Sequence, residues 1–217
     1  MRELLLSIAL LIQSPSQEKS IEPTDILMLS GKDTFGHGCP VEAPGPIVGE
    51  PPQTRIFTAE LVAKDGKKFT PVAWATHDGT AVGFAFPAFL DAVHDLVILL
   101  PQEAPPFAFK LSRRPPKEGE KLTIVGYRRK GRNPYDPFVV EARFSGLGPG
   151  LITYDDSPGP GSSGSCVLNS DGEVVAINTG FWTPQGPNGP GYGIGVSLFS
   201  PWFEKRIVKR IEEEPDE

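Results

Sequence analysis

Asp155-Asp156-Ser157-Pro158-Gly159-Pro160-Gly161-Ser162-Ser163-Gly164-Ser165-Cys166-Val167-Leu168-Asn169-Ser170-Asp171-Gly172-Glu173-Val174-Val175-Ala176-Ile177-Asn178-Thr179-Gly180 is the stretch on which the reading of this chain turns. Its second half is a hairpin: two apolar runs, Cys166 to Leu168 and Val174 to Ile177, flank the turn sequence Asn169-Ser170-Asp171-Gly172. Its first half is a Gly/Ser/Pro string, which alone reads as a flexible loop. Set directly against a strand, the same string reads as a tight turn. A serine hydroxyl becomes a useful nucleophile only when a base takes its proton and backbone N–H groups meet the oxyanion that forms. Small residues on both sides of Ser163 let the chain approach a second molecule closely, and the N–H groups of Gly161 and Ser163 can face one point. Ser163 is the candidate nucleophile, and Gly161 with Ser163 the candidate oxyanion hole.

Outward from this turn the chain is punctuated at short intervals. With 24 Gly and 24 Pro in 217 residues and no repeat period, the composition predicts many short strands rather than helical bundles. Ile56 to Val62 alternates, Lys64-Asp65-Gly66-Lys67 supplies a turn, and Phe69 to Ala75 resumes, which predicts a hairpin. Asp95 to Leu100 reads as a buried strand opened by an acid. Leu122 to Tyr127, Val139 to Phe144 and Gly193 to Leu198 complete the strand reading. One helix is expected at about 201–213, where Ser200 can cap, Pro201 takes the first helical position, and Phe203, Ile207 and Ile211 recur every four residues. The Pro/Gly-rich loops at 40–53 and 182–191 are not linkers, because strand patterns resume on both sides.

A net charge of −6, with only Arg128, Arg129, Lys130 and Arg132 as a basic cluster, excludes a nucleic-acid footprint. The acidic tail from Glu212 reads as a solvated terminus. The apolar run Leu4 to Ile12 is too short to span a bilayer but suits the core of a secretory signal, so residues 1–20 are expected to be a signal peptide or an apolar N-terminal segment, and the protein secreted or periplasmic rather than cytoplasmic. Two cysteines, Cys39 and Cys166, make neither a metal site nor a disulfide framework, and no cofactor motif is present.

Four segments, in order, carry a resemblance: Phe35-Gly36-His37-Gly38-Cys39-Pro40-Val41, the Phe57 to Ala75 region, His94-Asp95-Leu96-Val97-Ile98-Leu99, and Glu118 to Tyr127 ahead of the quoted stretch. Together they resemble the trypsin-like serine peptidases, particularly the bacterial HtrA-type branch. The resemblance implies an all-β fold of two six-stranded antiparallel β-barrels, barrel one about 26–110 and barrel two about 117–199, with a C-terminal helix. It implies Ser163 as nucleophile, Asp95 as the acid that orients a histidine, a pocket with its base near Ser157 and walls at Asn178, Thr179 and Gly180, and a peptide or protein as substrate. Because the first glycine-rich strand of that fold runs behind the nucleophile turn, a Cys39–Cys166 disulfide is also implied.

The same alignment of motifs puts the family's base histidine near the stretch from Gly45 to Pro52, where Pro51 or Pro52 stands instead. The chain has three histidines. His77 is the candidate base, His37 reads as a strand residue, and His94 points to the opposite face from its neighbour Asp95. Asp155 and Asp156 read as solvated loop acids, with a preference for a basic substrate side chain as the alternative, and Glu50 as a carboxylate near the lost histidine. Two readings follow: an endopeptidase acting through Ser163, Asp95 and His77, or a pseudoenzyme that binds a peptide or protein partner in the inherited cleft.

Overall fold

The computed structural model describes residues 26–31, 34–43, 52–65, 68–91, 93–130, 133–182 and 192–198. The expected signal segment, the C-terminal helix, Glu50 and Pro51 lie outside them. Two antiparallel barrels account for nearly everything described. The first is built from β1 (Leu27–Ser30), β2 (Phe35–Ala43), β3 (Gln53–Thr58), the short α1 (Glu60–Ala63), the two-residue strands β4 (Lys64–Asp65) and β5 (Lys68–Phe69), β6 (Val72–Ala75), β7 (Val82–Asp91) and β8 (Leu96–Pro101). Its strands pair in the order β1-β6-β7-β8-β3-β2, and β1 also pairs with β2, Leu27 opposite Gly38, which closes the ring. A parallel pairing of β9 (Phe109–Lys110) hangs on β2.

The second barrel is β10 (Lys121–Lys130), β11 (Asn133–Gly148), β12 (Leu151–Tyr154), β13 (Cys166–Leu168), β14 (Val174–Trp182) and β15 (Tyr192–Ser197), closed in the order β10-β11-β12-β15-β14-β13. The quoted hairpin is β13–β14, with Cys166 opposite Ile177. Asn169 Oδ1 accepts the N–H groups of Asp171 and Glu173, which fixes its turn.

Each barrel fills its own interior. Leu27, Leu29, Ile56, Val62, Val72, Trp74, Val97 and Leu99 pack inside the first. Leu122, Ile124, Phe144, Ile152, Tyr154 and Val167 pack inside the second. A third apolar cluster joins the two: Cys39, Val41, Phe57, Leu96 and Ile98 from barrel one meet Val125, Tyr127, Cys166, Leu168, Val174 and Ile177 from barrel two. This shared core explains why β2 is buried at seven of its nine positions, a pattern that alternation alone does not produce. Gly38 is part of that packing, since a Cβ there would stand 2.6 Å from Ile56.

Among the strands that the sequence reading missed are β7 and β12, and it misdrew another. Val82, Phe84 and Phe86 of β7 are exposed, so its apolar alternation faces outward and gives no core signal. Between Gly150 and Asp155, β12 is too short for a period to show. The expected continuous strand Ile56 to Val62 ends at Thr58, and Glu60 to Ala63 forms one helical turn that buries Val62 and Ala63. The cause is non-local: Asp95, from the start of β8, accepts the backbone N–H of Glu60 at 2.9 Å and takes that donor away from any strand partner.

Candidate functional site

Ser163 sits on the loop between β12 and β13, at the seam between the barrels. Gly161 and Gly164 flank it with φ of 87° each, a left-handed conformation that side-chain-bearing residues rarely adopt. At Gly164 space is also absent, because a Cβ would lie 2.1 Å from the carbonyl oxygen of His37 and 2.8 Å from Thr58 Oγ1. The turn is therefore pressed against β2 and the end of β3, and only glycine fits.

Several bonds hold the turn in shape. Gly164 N–H donates to Asn178 O, Asn178 N–H donates to Ser165 O, and Ser165 N–H donates to Ser162 O. The Asn178 side chain donates to Ser162 O at 3.0 Å and Ser162 Oγ at 2.9 Å, while its Oδ1 accepts from the Tyr154 hydroxyl. Burial pushes the Tyr154 phenol far above its ordinary range, so it stays a donor. The Ser162 hydroxyl donates to Gly159 O at 2.6 Å. Among the described residues, the N–H groups of Gly161 and Ser163 have no acceptor. Two open donors on a turn held this firmly are what an oxyanion hole requires.

His37 is the buttress behind this turn. Fully buried, it places Nδ1 3.3 Å from Ser163 O, and Nε2 2.7 Å from Tyr127 N and 2.8 Å from Tyr127 O. Accepting from Tyr127 N–H at Nε2 leaves Nδ1–H to donate to Ser163 O, which is a neutral ring. Desolvation holds its pKa below the ordinary histidine value, in keeping with that tautomer, although its two backbone bonds pull the other way.

Asp95 opens β8 with φ of 53°, the sole described residue other than glycine at positive φ. Its carboxylate faces the start of α1, where it accepts the N–H groups of Glu60 and Leu61. Burial raises its pKa; the two N–H bonds oppose that, and the charge of Glu60 adds to it.

The structure brings Ser163 and its turn together with Asn178 and Thr179, whose carbonyl is 3.5 Å from Ser163 Oγ. Asn178, expected in a pocket wall, is buried with its side-chain amide committed to the turn. Ser157 accepts Gly159 N–H at 3.2 Å, and Gly180 lies in β14 beside the turn. Asp155 and Asp156 are exposed and accept backbone N–H groups from Arg143 and Ser157.

The structure does not bring His77 to Ser163. It is exposed, in a turn that Asp78 locks by accepting from Thr76 Oγ1, Thr80 N and Thr80 Oγ1, bonds that hold the Asp78 carboxyl down to about 2. From there its ring lies flat on Tyr127, with centroids 4.8 Å apart, and it makes no hydrogen bond to Ser163. His94 is also engaged elsewhere, with Nδ1 on the Asp91 carboxylate at 3.0 Å and Nε2 on Pro149 O at 3.2 Å. All three histidines are thus committed away from the Ser163 hydroxyl. Of the stretch expected to carry the base, Pro51 lies outside the described residues and Pro52 is exposed ahead of β3, while Asp95 holds the N–H of Glu60 further along the chain. Local pattern could not show this contact, which spans 35 positions.

Cys39 on β2 and Cys166 on β13 form a disulfide with their Cα atoms 5.2 Å apart. It ties β2, which carries His37, to the residue just after the Ser163 turn.

A family model for the trypsin-like peptidase domain matches residues 45–177, more than half of the chain. Solved structures similar to this one include a human astrovirus serine protease, at TM-score 0.60 and 19% identity over 84% of this chain and 94% of that one. A serine endoprotease from Yersinia pestis matches at TM-score 0.61 and 20% identity over 86% of this chain and 64% of that one. The M. tuberculosis protein Rv3671c, in an inactive form, matches at TM-score 0.62 and 16% identity over 90% of each chain. At these identities the likenesses establish the two-barrel fold, and with the matched family model they place this chain in the trypsin-like peptidase family.

Proposed function

We propose that the protein hydrolyses peptide bonds at Ser163, with the Gly161 and Ser163 N–H groups stabilising the oxyanion and Asp95 organising the base side of the site. The observation that carries this reading is the pair of open donors, Gly161 and Ser163 N–H, on a turn fixed by the Asn178 and Ser165 backbone bonds. A turn kept only for folding would gain by closing them. Peptides or proteins are the substrate class that fits the family and the open seam between the barrels. The Cys39–Cys166 disulfide supports a secreted or periplasmic setting, since such bonds persist in oxidising compartments.

A second reading rests on its own observation. With His37, His77 and His94 all bonded or stacked elsewhere, the cleft would bind a peptide without cutting it. Incubation with a fluorophosphonate probe, followed by peptide mapping, separates the two. Adduct on Ser163, absent in Ser163→Ala and undiminished in His77→Ala, supports hydrolysis. Absence of adduct at any pH in folded protein supports the binding reading and ends the first.

A further inference from the structure

The outward row of β7 reverses the pattern of a sheet that meets water on one face, apolar in and polar out. Ala85 is buried, while Val82, Phe84 and Phe86 stand on the other face and are exposed, Val82 by 63% and Phe84 by 55%. Strand register carries this row across the barrel. Phe84 lies opposite Ala73 on β6, Ala73 opposite Ser30 on β1, and Ser30 opposite Phe35 on β2. Two residues along, Val82 lies opposite Ala75, and Ala75 opposite Met28. Large apolar side chains thus stand at the two margins, on β7 and β2, with alanines between them. The result is a groove of about 470 Å³ on the outside of barrel one, bounded beside Phe84 by Gln102, whose N–H donates to Phe84 O. Exposed apolar side chains standing singly are ordinary, but a contiguous row of them marks a surface that something covers.

We propose that the occupant is the apolar run Leu4 to Ile12 of the same chain, seated in this groove. The proposal takes residues 1–20 as an apolar N-terminal segment that stays with the domain, and it goes beyond the hydrolytic reading without resting on it. The first ground is the tether. The described residues begin at Ile26, immediately before β1, and β1 itself supplies Met28 and Ser30 to the groove. The second is reach. Residues 13–25 lie between the run and Ile26 and extend to about 40 Å, whereas three strand spacings from β2 to β7 come to about 14 Å. The third is composition, since Ser7 alone interrupts the run with a polar side chain, which suits a groove floored by alanine and walled by Phe and Val.

The apolar stripe Phe203, Ile207 and Ile211, also outside the described residues, starts from a different place. Leu198 N–H donates to Val175 O, and the neighbouring Val174 bridges to Leu111, just past the pairing of Phe109 with Val41. Val41 is near the end of β2, and Phe35, at the groove, is its first residue. The N-terminal run enters beside the groove; the C-terminal stripe departs from the far end of the strand.

The test is site-specific photocrosslinking in the full chain, with benzoylphenylalanine in place of Phe84 and, in a second protein, in place of Phe86. Intact mass verifies the N-terminus and thermal unfolding verifies the fold. Irradiation of dilute protein, followed by peptide mapping, is expected to join position 84 to the peptide that carries Leu4 to Ile12, within one chain and at a yield that dilution does not change. Leu6→Gln combined with Ile8→Gln should lower that yield by about 10-fold or more, because the burial of two large apolar side chains is lost. The same group in place of Val139, an exposed position on barrel two, should not capture the run. Crosslinks between chains that fade on dilution make the occupant a second copy and overturn the proposal. Capture of residues 199–217 from position 84 or 86 overturns it in favour of the C-terminal stripe. Equal capture of the run from position 139, no crosslink from either groove position, or a mature chain that lacks residues 1–20 also overturns it. Labelling of Ser163 is a separate readout, so each of these outcomes leaves the hydrolytic reading where it stood.

Discussion

Ser165 carries a hydroxyl into a place that offers it nothing. The side chain is fully buried, its Oγ has no hydrogen-bond partner, and it presses on Gly126, where a Cβ would lie 2.6 Å from that oxygen. A buried, unpaired hydroxyl costs about 1–3 kcal/mol. Ser165→Ala should therefore stabilise the protein by about 1 kcal/mol, read as a higher denaturant midpoint at unchanged m-value. His37 is the opposite case, a buried polar ring with both nitrogens in use. His37→Ala leaves a cavity behind the Ser163 turn and takes away the acceptor of Tyr127 N–H, and should cost about 2–5 kcal/mol in chemical unfolding. At this scale Ser163 and Asp95 were legible as candidates, because each sits in a run of residues whose order is informative by itself. The turn at Glu60 was not. Its neighbours Thr58 and Ala59 continue a plausible strand, and what bends the chain there is a carboxylate contributed 35 residues later.

Among the elements, the β13–β14 hairpin was the easiest to read and is the best secured. Arg114 reaches from the segment between the barrels to Glu120 at 2.8 Å and to Asp171 at 2.7 Å on the hairpin turn. Glu120 also accepts from Lys117 N at 2.8 Å and Ser170 Oγ at 2.7 Å. The Arg114 guanidinium, seconded by these donors, holds the Glu120 carboxyl well below the usual carboxylate range. A carboxyl depressed in the fold contributes stability above its unfolded pKa of about 4.3 and loses it as pH falls through the folded value. Glu120→Gln should accordingly be less stable than the native protein by roughly 1 kcal/mol at pH 7, a modest figure because Arg114 is partly solvated. The gap should shrink steadily below about pH 4.3, and urea melts at pH 7, 5 and 3 would show it. The strands β7 and β12 mark the limit of pattern reading. An outward-facing apolar row and a four-residue strand are set by their partners across the sheet, and neither carries that information in its own sequence.

At the scale of the molecule, the two barrels share one apolar core and are further joined where His94 bridges the Asp91 carboxylate and Pro149 O. The two-barrel class was readable from motif order, since four segments in sequence fix which strands belong to which barrel. The meeting of Cys39 with Cys166 could be inferred only through the resemblance, because the residues are 127 positions apart. Closing a loop of that length restrains the unfolded chain strongly, and on chain-entropy grounds the bond contributes about 4–5 kcal/mol. Unfolding in the presence of a reductant, or of Cys39→Ser with Cys166→Ser, should show a loss of this order against the oxidised protein.

That bond lies on opposite sides of the segment joining the barrels, residues 102–120, from its two ends. A protease cut within this segment would therefore not release either half. The two fragments would migrate as one species on a denaturing gel until thiol is added, then separate into two bands. A protein that lives among proteases, or is one, keeps both walls of its cleft after such a nick.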